Sequence, residues 1–186
     1  MLSASDVITL SPNKPLTLPP NTGNSEGGQV AGFPAGVVFN QTKVTASVGD
    51  GGLKFATSGG DGAAGVYIPA TPDKCNVGVL AGPEGFFFSD QFGGCDFTVM
   101  KTNDGLWAGS HVYSSDACRA NIAAVPAGWT TVHTWRSAPY ARRYGMTGSN
   151  CVMCFVAKGS LKFVMVRVAG YPPKVAEAVM SASVVI

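Results

Sequence analysis

A nucleophile and a base that could activate it lie close together in this sequence. Cys95 follows two glycines, Gly93 and Gly94, and His111 stands sixteen residues further along the chain. A cysteine becomes a strong nucleophile when a base removes its proton, because the thiolate is the attacking species. Glycines beside it let the backbone N–H of the cysteine turn toward the oxyanion that forms during acyl transfer. The residue types therefore allow cysteine-based acyl chemistry.

The segments around Cys95 and His111 are predicted to form a β-hairpin. Residues 97–101 are apolar and strand-like, Asn103-Asp104-Gly105 is a typical turn, and residues 106–113 form the returning strand. A hairpin of this kind brings His111 back beside Cys95, which is the arrangement that a catalytic pair requires.

The N-terminal region differs in composition from the remainder of the chain. Residues 1–30 contain four prolines and a run of Gly, Asn and Ser, which predicts a loosely ordered N-terminal arm with a short edge strand at 7–10. Residues 31–186 are predicted to form a single catalytic domain, because that length buries a self-sufficient core.

Most of the remaining apolar segments are short and bounded by glycine turns. Residues 151–157 and 161–168 predict a central hairpin buried on both faces. Ser115 predicts the N-cap of a short helix at 116–124, and a last short helix is predicted at 174–181. The predicted fold class is therefore α+β and sheet-dominated, with β-sandwich-like mixed sheets and two or three short peripheral helices.

Charge and hydropathy narrow the classes of partner. Only 13% of residues are charged and the net charge is +2, with no basic stripe, which argues against nucleic acid. No apolar run is long enough to insert into a membrane.

The start of the sequence lacks the pattern of a signal peptide, so we expect secretion by a non-classical route or delivery to a host cytosol. Arg136, Arg142 and Arg143 form either a solvated loop or a contact for an acidic target.

The cysteines predict neither a disulfide scaffold nor a metal site. There are five of them, an odd number, which favours free thiols in a reducing compartment. Cys151 and Cys154 have CxxC spacing but lie in a predicted strand, without a second CxxC or a nearby histidine. We interpret this pair as structural, and we expect no metal or organic cofactor.

The segment from Phe86 to Tyr113 resembles the active-site segment of a toxin family. Two phenylalanines precede Gly94-Cys95, and a histidine follows on the next predicted strand. This pattern is similar to that of the cytotoxic necrotizing factor and Burkholderia lethal factor glutamine deamidases. Those toxins carry Leu-Ser-Gly-Cys where this chain has Phe92-Gly93-Gly94-Cys95. The lethal factor also has a threonine six residues before its cysteine, where this chain has Ser89.

The resemblance implies a function and a role for each residue. Cys95 would attack the side-chain carboxamide of a glutamine in a host protein, His111 would move the proton, and Ser89 would orient the imidazole or donate a hydrogen bond. Backbone N–H groups at Gly93 and Gly94 would hold the oxyanion. The product would be glutamate, formed through a thioester and without a cofactor.

Other interpretations remain open from the sequence. A cysteine protease or a transglutaminase uses the same pair of residues. In a non-catalytic β-rich binding module, Cys95 would be a small buried apolar residue and its glycines would only turn strands. His133 is a competing base, although its strand-like surroundings favour a packing role. Asp90 and Asp96 flank the motif and either orient an imidazole or face solvent.

Overall fold

The computed structural model describes residues 2–19, 28–57, 63–140 and 149–186. Most of the described residues belong to strands, and the helices are short. The elements in chain order are α1 (Ala4–Ile8), β1 (Leu16–Thr17), β2 (Val37–Phe39), β3 (Thr42–Gly49), β4 (Gly52–Thr57), β5 (Ala63–Tyr67), β6 (Cys75–Val79), β7 (Gly85–Ser89), β8 (Asp96–Thr102), β9 (Trp107–Val112), α2 (Asp116–Ala123), β10 (Trp129–Arg136), β11 (Ser149–Ala157), β12 (Ser160–Ala169) and β13 (Lys174–Val185). Residues 138–140 are also helical.

Eight strands form a large mixed sheet in the order β1-β4-β3-β5-β7-β11-β12-β13. The sheet curls so far that its two edges meet, since the Val175 N–H donates to the Lys14 carbonyl at 2.8 Å. Its concave face encloses one apolar core. Phe55 of β4 and Phe88 of β7 stack there with ring centroids 4.1 Å apart, although their strands are not neighbours in the sheet.

Five strands form the smaller sheet, in the order β10-β8-β9-β6-β2. One of its faces packs against the convex face of the large sheet, and this second core contains Phe87 of β7 together with Phe97 of β8. The other face is covered by α2, which buries Cys118 and Ile122 against it. The layers are therefore the large sheet, the small sheet and α2.

The sheet-dominated α+β class predicted from the sequence is confirmed, with two mixed sheets and short helices. Both predicted hairpins are present as the antiparallel pairs β8–β9 and β11–β12. No helix in the described parts of the chain is long and apolar enough to cross a membrane.

Two local predictions are wrong. The predicted edge strand at 7–10 is replaced by α1, whose Ser3 and Asp6 form a reciprocal capping box and whose Val7 is fully buried. The predicted helix at 174–181 is the strand β13, because pairing with β12 satisfies its backbone and overrides the helical spacing of its apolar residues. Within the predicted loose arm, residues 2–19 pack on the large sheet. Residues 20–27 lie outside the described residues.

Candidate active site

Strand β7 sends alternate side chains into different cores. Phe86 and Phe88 face the concave core of the large sheet, whereas Phe87 faces the small sheet. Because side chains alternate along a strand, Ser89 projects on the same side as Phe87. It is fully buried there. The alternation of side chains along β7 therefore directs the Ser89 hydroxyl toward the small sheet.

A glycine lets strand β9 approach β7 closely. A Cβ atom at Gly109 would lie 2.8 Å from the Phe97 ring and 2.9 Å from the Phe87 ring, which is closer than real Cβ contacts. His111 follows two residues later on the same face of β9. The absence of a side chain at Gly109 therefore allows the His111 imidazole to reach the Ser89 hydroxyl.

Ser89 and His111 are joined by a hydrogen bond that defines the tautomer of the histidine. The Ser89 Oγ lies 2.8 Å from His111 Nδ1 and 2.6 Å from the carbonyl oxygen of Ile68. A hydroxyl has one proton to donate, and the carbonyl can only accept it. Ser89 therefore accepts a hydrogen bond from Nδ1–H, and the neutral His111 carries its lone pair on Nε2.

The Nε2 atom of His111 is buried and makes no hydrogen bond with any described residue. The ring is fully buried and stacks on Phe92 with centroids 4.4 Å apart. Burial lowers the pKa of His111 to about 3, because the charged form has lost its water. At neutral pH the residue is therefore an uncharged imidazole, whose Nε2 lone pair has no hydrogen-bond donor among the described residues.

Cys95 lies immediately before β8, in the same apolar core as Phe97 of that strand. Phe97 is the register partner of His111, and Cys95 precedes Phe97 by two residues in the same core. No hydrogen bond joins the Cys95 Sγ to the imidazole in this state, since Nε2 has no partner among the described residues. Pairs of this kind often tighten only when substrate binds.

Cys95 is the least buried of the five cysteines, with 6% of the residue exposed. Burial raises its pKa above the ordinary value, although the N–H and hydroxyl of Ser114 and the charge of Arg119 act in the opposite direction. The nearby carboxylate of Asp96 adds to the increase. The resting pair is therefore a neutral thiol and a neutral imidazole, and no thiolate–imidazolium ion pair is formed in advance.

The backbone around Cys95 is held by two side chains. The Gly94 carbonyl accepts a hydrogen bond from Arg119 Nη2 at 3.1 Å, and the Cys95 carbonyl accepts one from Ser137 Oγ at 2.6 Å. The left-handed residue of this loop is Gln91, with φ of 61°. Gly94 has open space for a Cβ, since its nearest contact would be Ser114 at 3.6 Å.

The competing candidates do not contact His111 or Cys95 as bases. His133 packs its ring on Phe163, with centroids 5.0 Å apart. Asp90 faces the concave core of the large sheet and accepts a hydrogen bond from the Tyr67 hydroxyl at 3.2 Å. Asp96 pairs with Arg119, at 2.9 Å. Of the residues predicted from the sequence, the structure joins Ser89 and His111 by a hydrogen bond, and Cys95 lies in the same core without a hydrogen bond to either of them.

The CxxC pair does not form a metal or redox site. Cys151 faces the concave core and Cys154 faces the other one, because residues three apart on a strand point to opposite sides. Both are free and fully buried. Among the described residues there is no group of three or more His, Cys, Asp or Glu side chains placed to hold a metal ion.

Three residues of the site were not predicted from the sequence. Phe92 stacks on His111, Trp135 carries a buried indole N–H without an acceptor among the described residues, and Arg119 holds the Gly94 carbonyl. Trp135 is the register partner of Phe97, which places it in one row with His111 across the small sheet. Two of them had a sequence signal, since Phe92 belongs to the motif that ends at Cys95 and Arg119 lies in the helix predicted after Ser115.

Comparison with known proteins adds no family. No protein-family model matches this chain, and no curated protein matches it significantly. The chain is therefore interpreted from its own residues. The resemblance to the deamidase toxins rests on the segment that carries Ser89, Cys95 and His111.

Proposed function

We propose that this protein is a cysteine-dependent protein-glutamine deamidase of the toxin or effector type. The observation that carries the proposal is the hydrogen bond from His111 Nδ1 to Ser89, which leaves the Nε2 lone pair without a partner among the described residues, in the core that also contains Cys95. A base with this tautomer is what a thiol nucleophile needs, and a hydroxyl in the Ser89 position is what the resemblance implies.

The first half of the reaction forms a thioester. The sulfur of Cys95 attacks the carboxamide carbon of a substrate glutamine as its proton passes to His111 Nε2. The carbonyl oxygen becomes an oxyanion, and the backbone N–H of Cys95 would donate a hydrogen bond to it. One such donor is worth roughly 2.7–4 kcal/mol in acyl-transfer enzymes. His111 then returns the proton to the departing amide nitrogen, and ammonia leaves.

The second half releases glutamate. Water attacks the thioester carbon while His111 Nε2 takes one of its protons, and the Cys95 sulfur leaves and recovers that proton. On the enzyme, only the thiol and the imidazole change their bonding. The added negative charge on the substrate side chain alters a protein surface permanently, which is consistent with an effector that acts on a host protein.

Because Cys95 and His111 are both neutral at rest, the thiol loses its proton only when a substrate is bound. A thiol whose pKa is raised and a histidine whose pKa is lowered hold no ion pair until a carbonyl is in place to accept the sulfur. Proton transfer and attack then occur together. This arrangement protects the cysteine from oxidants, because a neutral thiol reacts slowly. The five free cysteines are consistent with action in a reducing host cytosol.

The test is conversion of glutamine to glutamate in native proteins of a eukaryotic cell lysate. Wild-type protein, Cys95→Ala and the control Cys118→Ala are incubated with the lysate, and peptides are compared by mass spectrometry. We expect a glutamine converted by wild type and by Cys118→Ala but not by Cys95→Ala. Cleavage at the same site would instead identify a protease, and incorporation of an added amine would identify a transglutaminase.

A non-catalytic binding module is the second candidate, and one observation favours it. His111 is fully buried and burial raises the pKa of Cys95, as expected for apolar packing residues. This candidate predicts no Cys95-dependent chemistry in the lysate. It also predicts that a glutamine-mimicking electrophile labels Cys95 no faster than it labels the other thiols.

A further inference from the structure

Arg119 connects helix α2 to the loop that carries Cys95. Its guanidinium makes three hydrogen bonds, donating from Nη2 to the Gly94 carbonyl at 3.1 Å, from Nε to the Asp96 carboxylate at 2.9 Å and from Nη1 to the Ser114 carbonyl at 3.3 Å. Its Nη1 also lies 3.8 Å from the carboxylate of Asp116. The planar fork of an arginine suits several acceptors at once, whereas a lysine offers a single charged point. The residues immediately before and after Cys95 are thus held by one side chain.

These contacts define the direction of a backbone N–H. In a trans peptide the carbonyl oxygen and the following N–H point in opposite directions. Because the Gly94 carbonyl points at Arg119, the Cys95 N–H must point away from it. The next carbonyl, that of Cys95, accepts hydrogen bonds from the Ser137 hydroxyl at 2.6 Å and the Ser137 N–H at 3.3 Å. Two consecutive peptide planes are therefore fixed.

The Cys95 N–H itself is left without an acceptor among the described residues. A backbone N–H that is held in one direction and has no acceptor among the described residues is free to donate to a ligand atom. The N–H of the nucleophile is a common oxyanion donor in acyl transfer. Here the donor is oriented by α2 rather than by the conformation of the glycines.

We propose that Arg119 is a positioning residue for acyl transfer, which orients the Cys95 N–H toward the oxyanion and places a positive charge beside the sulfur. The inference rests on the proposed function, because it assigns the oxyanion donor of the same site. Arg119 does not contact the reacting atoms. Its charge also favours the thiolate of Cys95, in the direction that the neighbouring Asp96 opposes.

The test compares Arg119→Gln, Arg119→Lys and the matched control Arg136→Gln. Arg136 is an exposed arginine whose side chain lines the same cleft on the outer face of the small sheet. The probe is p-nitrophenyl acetate, whose ester carbonyl forms an oxyanion when Cys95 attacks it. Cys95→Ala supplies the background rate, and thermal unfolding of each variant shows the folded fraction.

We expect Arg119→Gln to lower kcat by roughly 10²–10³-fold, the loss seen when one oxyanion donor is removed, with KM changed far less. The kcat of Arg119→Lys should fall by a similar factor, because lysine keeps the positive charge but lacks the planar set of N–H donors. Arg136→Gln should match wild type. A kcat for Arg119→Gln within a few-fold of wild type overturns the inference, as does a decrease that only follows the folded fraction. Wild-type kcat in Arg119→Lys overturns the orienting role.

A second measurement separates this inference from the proposed function. The rate of Cys95 alkylation by iodoacetamide is followed against pH in wild type and Arg119→Gln. The variant should require a higher pH to reach the same alkylation rate. An unchanged dependence of the rate on pH would contradict an effect of the Arg119 charge on the Cys95 sulfur. If wild type converts no glutamine in lysate while this shift is seen, the deamidase proposal fails and the role of Arg119 at Cys95 stands. If wild type is active and Arg119→Gln is too, only the role of Arg119 fails.

Discussion

The imidazole of His111 donates its Nδ1 proton to the Ser89 hydroxyl, 2.8 Å away, because that hydroxyl gives its own proton to the Ile68 carbonyl. These two consecutive hydrogen bonds leave Nε2 as the nitrogen of His111 that carries the lone pair. It also depends on two sheets at once, since Ser89 belongs to β7 of the large sheet and His111 to β9 of the small one. The site is therefore a property of how the sheets pack.

Removing the Ser89 hydroxyl should impair both activity and stability. Ser89→Ala leaves Nδ1–H and the Ile68 carbonyl unpaired in the core, so we expect a loss of about 1–3 kcal/mol in the free energy of unfolding. Activity should fall at least tenfold, out of the roughly 10²–10⁴ that a positioned base contributes. Ser110→Ala is the matched control, because the Ser110 hydroxyl is buried without a partner among the described residues. Equal effects of the two substitutions on kcat would contradict the tautomer assignment.

His111 should make the protein less stable in acid. Its pKa is about 3 in the folded state and about 6.5 when unfolded, so the unfolded chain binds the proton first. Stability from this residue is fully present above pH 6.5 and is lost as the pH falls toward 3, by about 1.4 kcal/mol per pH unit. Denaturant unfolding of wild type and His111→Phe between pH 7 and 4 measures it. The difference between the two should shrink or reverse in acid, and a constant difference would show that His111 is not buried as a neutral base.

The rate of Cys95-dependent turnover should be insensitive to moderate acid. A histidine whose pKa is about 3 stays unprotonated from neutral pH down to about pH 4, so kcat/KM should show no decrease near the ordinary histidine value of about 6.5. The profile is measured only over the range in which circular dichroism shows the protein folded. A titration near pH 6–7 that disappears in His111→Gln would mean that the catalytic state exposes the imidazole to water.

Cys95 should be the first of the five cysteines to be alkylated in the folded protein. It is 6% exposed, whereas the others are 3% or less. Because burial raises its pKa, the rate should still be increasing above pH 8.5, the ordinary thiol value, which is about where a free thiol levels off. Iodoacetamide labelling followed by peptide mass spectrometry gives the order. Equal labelling of Cys75 or Cys118 under native conditions would contradict this prediction.

Adding a methyl group at Gly109 should separate β9 from β7. The new Cβ would meet the rings of Phe97 and Phe87 at 2.8 and 2.9 Å, so we expect Gly109→Ala to cost about 1–3 kcal/mol. It should also lengthen the contact between Ser89 and His111 and reduce turnover. Gly94→Ala is the comparison for stability, because its Cβ would have ordinary contacts. Thermal unfolding that ranks the two variants in the opposite order would exclude this explanation of the close approach.

Local chemistry in the sequence was sufficient for the fold class and for the hairpin that carries His111. Strands and turns are predicted here from patterns only a few residues long, such as short apolar segments, glycine turns and the Asn103-Asp104-Gly105 turn. These local patterns predict the β8–β9 pair. The helix after Ser115 is another local signal, since the Ser115 side chain caps its first turn. The final strand β13 was missed because its partner β12, and not its own sequence, decides its conformation.

The tertiary structure alone decided the electrostatic state of the site. Sequence spacing placed Cys95 near His111, but the pKa of each depends on how much water the packed sheets exclude. The contact of Arg119 with Gly94 joins residues 25 positions apart, and that of Ser137 with Cys95 joins residues 42 apart. Such contacts form only when separate strands and a helix pack together. The residues that could do chemistry were visible in the sequence, whereas their tautomer, charge and orientation are consequences of burial.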